Sequence, residues 1–152
     1  MAGFDESQHN RGRDGRFANK VHAEAPGVGL DGARVVPGAL PGGECWQLPD
    51  GTIHRTGGPA VTRPDGTQEW YDHGDLHRED GPARVMPGGG EQWFQHNRPH
   101  RIGGPAVSWP DGYEEWWVDG EPHRDNGPAV THSDGDQEWW RRGKRIPTPQ
   151  GM

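Results

Sequence analysis

A single cysteine, Cys45, stands among 152 residues, and no run of apolar residues approaches the length of a membrane span. One thiol excludes an intramolecular disulfide framework, and the missing apolar run excludes a transmembrane helix. Hydrophobic residues make up only 28% of the chain, too little for a thick two-layer core. Positive charge is also in deficit: Lys and Arg number 16 against 23 Asp and Glu, for a net charge of −7. With cations interspersed among acids, no footprint for gripping a phosphate backbone is left, and nucleic acid is not expected as a partner. The N-terminus lacks the apolar h-region of a signal peptide, so the expected location is cytoplasmic.

What is abundant is glycine, proline and tryptophan, at 26, 15 and 8 residues. They fall into a period. His54-Arg55, His77-Arg78, His100-Arg101 and His123-Arg124 recur at a spacing of 23, each opening the phrase H-R-x-x-G-P-A. The phrase is completed by Gly58-Pro59-Ala60, Gly81-Pro82-Ala83, Gly104-Pro105-Ala106 and Gly127-Pro128-Ala129. An aromatic pair follows each: Trp70-Tyr71, Trp93-Phe94, Trp116-Trp117 and Trp139-Trp140. A fixed period of this length marks a tandem array of supersecondary units.

Two turns punctuate each unit, Pro64-Asp65-Gly66 and His73-Gly74 in one, Pro110-Asp111-Gly112 and Asp119-Gly120 in another. Asp-Gly between short alternating segments signals a hairpin with a type I′ turn, which needs positive φ at both central residues. The expected fold is therefore all-β, an elongated single-layer antiparallel sheet of tandem hairpins. A two-residue loop at Asp65-Gly66 sets Val61 opposite Trp70 and Ala60 opposite Tyr71; one at His73-Gly74 sets Trp70 opposite His77 and Tyr71 opposite Leu76. On that register one face carries Val61, Trp70, His77 and their counterparts, with Trp stacked upon Trp. The other carries Ala60, Tyr71 and Leu76, with Glu69 beside Arg78 and Glu115 beside Arg124 as cross-strand pairs.

The ends are degenerate. Gly32-Ala33-Arg34-Val35-Val36-Pro37 and Gly42-Gly43-Glu44-Cys45-Trp46 echo the later units as a worn leading copy, and at the other end Ile146 and Pro147 replace the His-Arg pair. Atypical terminal units are what caps an array. Three segments follow: a flexible tail at residues 1–29, repeats over 30–147 and a short C-terminal tail at 148–152. Arg11, Arg13, Arg16 and Lys20 give the first a local positive patch.

The pattern W-x-x-x-G-x-x-H-R-x-x-G-P-A followed by D-G-x-x-E-W-W, over residues 31 to 146, resembles the MORN repeat. MORN units place Gly after the His where this chain has Arg, and they lack the Gly-Pro-Ala phrase. The resemblance implies a sheet of hairpins used in protein assembly, or proposed in some cases to contact phospholipid, with no catalytic residues to carry over. The variant phrase is similar to repeat proteins of bacteria and phages, including YwqK-like antitoxins. Residues 8–18 look like the openings of actinobacterial and actinobacteriophage proteins.

Candidate binding residues are the indoles Trp70, Trp93, Trp116, Trp117 and Trp139, the imidazoles His77, His100 and His123, and the guanidinium groups of Arg78, Arg101 and Arg124. Trp109 joins them as an aromatic off the repeat pattern, opposite Arg63, Met86 and His132 in the other units. A repeated residue is preserved first by the packing of the repeat, which gives each a structural alternative. His73/His77 and His96/His100 have a spacing that invites a metal, but on a hairpin they lack the further ligands that zinc requires. No metal or cofactor is expected, and no nucleophile-and-base constellation suggests an enzyme. The expected function is non-enzymatic docking of a protein partner, encoded by a phage or mobile element and acting on a host protein. A Trp-His-Arg groove holding a small anionic ligand or sugar is the alternative, phospholipid association the third. Open sheet edges add the expectation of a homodimer.

Overall fold

The computed structural model describes residues 28–29 and 31–149; nearly all of the segment read as an N-terminal tail, and the last three residues, lie outside them. Among the described residues the chain is all-β: an eleven-stranded antiparallel sheet, flanked by three two-stranded hairpins. The first three full units each contribute one hairpin to the large sheet, as in Val61–Thr62 with Gln68–Glu69, and one small hairpin, as in Tyr71–Asp72 with Asp75–Leu76; in the fourth, Gln137–Arg141 with Lys144–Ile146 continues the large sheet. The large sheet takes its strands in chain order, skipping the small hairpins. The hairpins skipped form a second row, joined from unit to unit by backbone bonds such as Arg78 N to Phe94 O and Arg101 N to Trp117 O.

The small hairpins have the expected register. Tyr71 faces Leu76, Phe94 faces Pro99 and Trp117 faces Pro122. Their turns have positive φ at both central residues, 48° and 89° at His73 and Gly74, and 53° and 82° at Asp119 and Gly120, the geometry of a type I′ loop. The first hairpin differs by one residue. Val61 faces Glu69, not Trp70, because Pro64-Asp65-Gly66 is a three-residue loop closed between Arg63 and Thr67. Only Gly66 turns to positive φ, at 88°, and the Asp65 carboxylate accepts the Thr67 amide at 2.8 Å. That is a type I turn with a glycine bulge.

A shift of one residue exchanges the faces of a strand. Alanine, not valine, therefore shares a face with the first Trp of each pair. Trp46 N, Trp70 N, Trp93 N and Trp116 N donate to the carbonyls of Ala60, Ala83, Ala106 and Ala129, and these alanines are 0% exposed. Indole and methyl thus alternate across the sheet. The expected Trp-upon-Trp stack is absent among the described residues: alanine separates successive indoles, and their stacking partner is an arginine. Arg55, Arg78, Arg101 and Arg124 lie over Trp46, Trp70, Trp93 and Trp116 with the guanidinium carbon 3.8, 4.2, 4.0 and 3.8 Å from the ring centroid.

Each of these arginines also closes the loop that follows it. Nη1 of Arg55, Arg78, Arg101 and Arg124 donates to the carbonyl of Pro59, Pro82, Pro105 and Pro128 at 3.3, 3.4, 3.0 and 3.1 Å. The guanidinium is folded so tightly over the intervening glycine that a Cβ at Gly81, Gly104 or Gly127 would sit 2.7 or 2.8 Å from its central carbon. Trp, Arg, Gly and Pro of the motif are thereby one device, a cation sandwiched between an indole and a bare backbone. Gly104→Ala should accordingly lower unfolding stability by about 1–3 kcal/mol, and part of that loss should vanish in an Arg101→Ala background. Additive losses in a denaturant double-mutant cycle would contradict the sandwich.

Candidate functional site

The histidines of the motif have a structural use. Nδ1 of His54, His77, His100 and His123 accepts the backbone N–H of His73, His96, Asp119 and Arg142 at 3.1, 3.2, 3.1 and 3.2 Å. Each acceptor reaches the tight turn of the next unit, where the donor residue has positive φ. The repeated His is thus a tie between consecutive small hairpins, and replacing one removes an acceptor that water only partly restores. His100→Phe is expected to cost about 1 kcal/mol and to speed hydrogen exchange at the Asp119 amide; unchanged exchange there would remove this role.

The same geometry corrects the histidine pairs. The rings of His54 and His73, and of His77 and His96, meet at a tilt with centroids 4.3 and 4.2 Å apart, so the neighbours come from consecutive hairpins and not from one. His54, Asp72 and His73 bring three ligand atoms within 4.8 Å of one another. The contacts nevertheless have an account of their own. His73 Nδ1 bonds Asp72 at 2.6 Å, His54 Nε2 reaches Asp31 at 3.0 Å, and His54 Nδ1 makes the same bond to the next turn as its counterparts do.

The opposite face of the sheet is where the units diverge. Register aligns one row across it, Cys45, Val61, Glu69, Arg84, Gln92, Val107, Glu115, Val130 and Glu138. Beside it runs the row of second aromatics, Tyr71, Phe94, Trp117 and Trp140, all half-buried. Glu69 is 1% exposed and held by two guanidinium groups, with Arg63 Nη2 at 3.0 and 3.2 Å and Arg84 Nε at 2.7 Å. Arg84 passes on to Gln92 Oε1 at 3.0 Å. Those partners replace the expected Glu69–Arg78 pair, since Arg78 sits over Trp70 and bonds Asp80 at 2.8 Å.

Among the described residues no cation stands at ion-pair distance from Glu115. The expected partner Arg124 lies over Trp116, and the carboxylate accepts instead from the Tyr113 hydroxyl and, at 2.7 Å, from Trp117 Nε1. Burial, followed by the bond to Glu115, pushes the Tyr113 phenol up to about 12. Glu138 likewise takes an indole, Trp140 Nε1 at 2.8 Å, with His132 Nε2 at 3.2 Å, but Arg145 Nε also stands 4.0 Å away. Trp109 is 38% exposed and lies across Gly90, where a Cβ would meet its ring carbons at 2.6 Å. Glycine at that position admits the indole.

The candidate residues therefore divide. Trp70, Trp93 and Trp116, with His77, His100, His123, Arg78, Arg101 and Arg124, belong to the internal device; Trp139 is buried opposite Ile146 with no arginine over it among the described residues; Trp109 and Trp117 belong to the half-open face. Tyr113, Glu115, His132 and Glu138 join that face and were not among the expected binding residues. For Tyr113 and His132 the signal was variation between units at fixed repeat positions; glutamate recurs at the position of Glu115 and Glu138, and only their partners set these two apart. A groove of about 460 Å³ does open on the device side, lined in part by Arg101, Ile102, Trp116, His123 and Arg124.

Several carboxylates make stability depend on acid. The Thr67 backbone amide and then its hydroxyl hold Asp65 below its ordinary range, the Arg78 side chain does so for Asp80, and the Trp140 indole followed by His132 for Glu138. A carboxyl lowered on folding stabilises above its unfolded pKa, about 4, and that contribution is lost as pH falls through the folded value. The melting temperature should hold near neutrality and drop below about pH 4, less steeply in Asp65→Asn, which keeps the turn acceptor; a flat profile through that range would refute the linkage. No protein-family model matches this chain, and no curated protein matches it either.

Proposed function

We propose that this chain is a non-enzymatic scaffold of MORN-like hairpin repeats that docks a protein partner on the face running from Trp109 past Trp117 to Trp140. The observation that carries the reading is the division of labour between faces. Residues repeated in every full unit hold the array, through the His tie, the Arg–Trp–Gly sandwich and the buried Ala. Residues that vary lie on the half-open face, and Trp109, which the repeat does not call for, is partly exposed there. Aromatic side chains left open on one face are the usual mark of an interaction site. The 23-residue hairpin period supports the MORN-like part. A phage or mobile-element origin, with a host protein neutralised or recruited, rests on the phrase at residues 8–18 and the repeat variant alone.

A small anionic ligand or sugar in the groove by Trp116 and Arg124 is the second reading, favoured by the cavity itself. Its arginines already stack on indoles and bond proline carbonyls, which leaves them fewer free donors. Affinity capture from an actinobacterial lysate, with and without phage, separates the two. A near-stoichiometric protein should bind the wild-type chain and be reduced at least about tenfold for Trp109→Ala with Trp117→Ala, as interface aromatics cost about 2 kcal/mol or more. Capture unaffected by that pair of changes would overturn docking on this face.

A further inference from the structure

We propose that the face at Glu115 receives an arginine side chain of the partner protein, an inference that rests on docking at this face. The array supplies its own template. Glu69, at the equivalent position, is paired with Arg63 from its own hairpin and Arg84 from the next strand. The corresponding positions around Glu115 are Trp109 and Val130, since Val130 faces Glu115 in the register where Arg84 faces Glu69. Both guanidinium groups that neutralise one carboxylate are therefore an indole and an isopropyl group at the other.

Among the described residues no cationic side chain lies within ion-pair distance of Glu115; its partners are the neutral Tyr113 hydroxyl and Trp117 N–H. A half-buried carboxylate met only by neutral donors has no charge partner of its own and leaves that place open to a cation. Its surroundings suit one kind of cation. Trp117 is bonded to the carboxylate through its own Nε1, Trp109 is partly exposed on the same face over Gly90, and indoles favour the flat guanidinium over the compact ammonium. Elsewhere the chain stacks its own guanidinium groups on indoles at about 4 Å, and pairs them with Glu69 at 2.7 to 3.2 Å. Arginine from outside would combine both contacts at one place. With a net charge of −7 on the whole chain, approach of a basic surface is favoured at long range too.

The probe is a blocked Gly-Arg-Gly peptide, titrated into the full chain and read on the indole N–H resonance of Trp117, with citrulline and lysine versions as comparators. Arginine should bind about tenfold or more tightly than citrulline and more tightly than lysine. Glu115→Gln should abolish that preference without unfolding, because glutamine already stands at this position as Gln92. Val130→Arg, which installs the internal partner found at Arg84, should block the probe. Equal binding of arginine and citrulline, or an arginine preference that survives Glu115→Gln, would overturn the inference. If capture of the partner still depends on Trp109 while Glu115→Gln leaves it unchanged, arginine recognition fails and docking stands; loss of the Trp109 dependence removes both. Arginine binding that emerges only when Arg11, Arg13 and Arg16 are all changed to Gln would assign the site to the chain's own N-terminal segment and overturn the partner reading.

Discussion

The structure depends on a guanidinium held flat between an indole and a glycine. A chain with so little apolar material cannot build a second layer, and its single sheet must be stiffened from within. The repeated arginine does this by covering the Trp ring, closing the Gly-Pro loop through the proline carbonyl and excluding any side chain from the glycine. Burial of the neighbouring alanine completes a unit whose apolar core is one indole and one methyl group thick. The His tie then couples each unit to the next turn. Stability of such an array accumulates from unit to unit through neighbour contacts, in keeping with the degenerate copies at its ends.

From this economy follows the separation of structure and recognition. One face is committed to the device, and its residues cannot vary without loosening the array. The other keeps the strand pairing but is free in its side chains, and there the units become individuals: a buried, fully neutralised Glu69 in one, an indole over Gly90 between two, a carboxylate with neutral donors at Glu115 in the third. Repetition fixes the frame, while departures from it carry the chemical information.

Much of the frame was legible in the sequence, and the error in it is instructive. The period, the all-β class, the type I′ turns and the pairing of Trp70 with His77 follow from Gly placement and alternation. The first hairpin slipped by one residue because Asp-Gly suits both a two-residue loop and a type I turn with a glycine bulge. Pro64 and the small residue Ala60 were the signals for the bulge: proline favours the first corner of a type I turn, and a methyl group is what fits against an indole. The arginines were misplaced for a separate reason: the small hairpin's register, as expected, sets Arg78 opposite Glu69, but the guanidinium folds back over Trp70. The face at Glu115 was harder to find, since its meaning lies in what Trp109 and Val130 replace, and that requires knowing which side chains hold Glu69.

The most direct test is a transplant between units. Trp109, Tyr113 and Trp117 would be changed together to the residues of the first unit at the same positions, Arg63, Thr67 and Tyr71, giving Trp109→Arg, Tyr113→Thr and Trp117→Tyr with every repeated residue untouched. Thermal unfolding and partner capture are then measured on the same chain. The account predicts a melting temperature within a few degrees of wild type, about 1 kcal/mol or less, together with loss of the partner. A chain that unfolds, or one that folds and still binds, would contradict the division between a face that holds the array and a face that recognises.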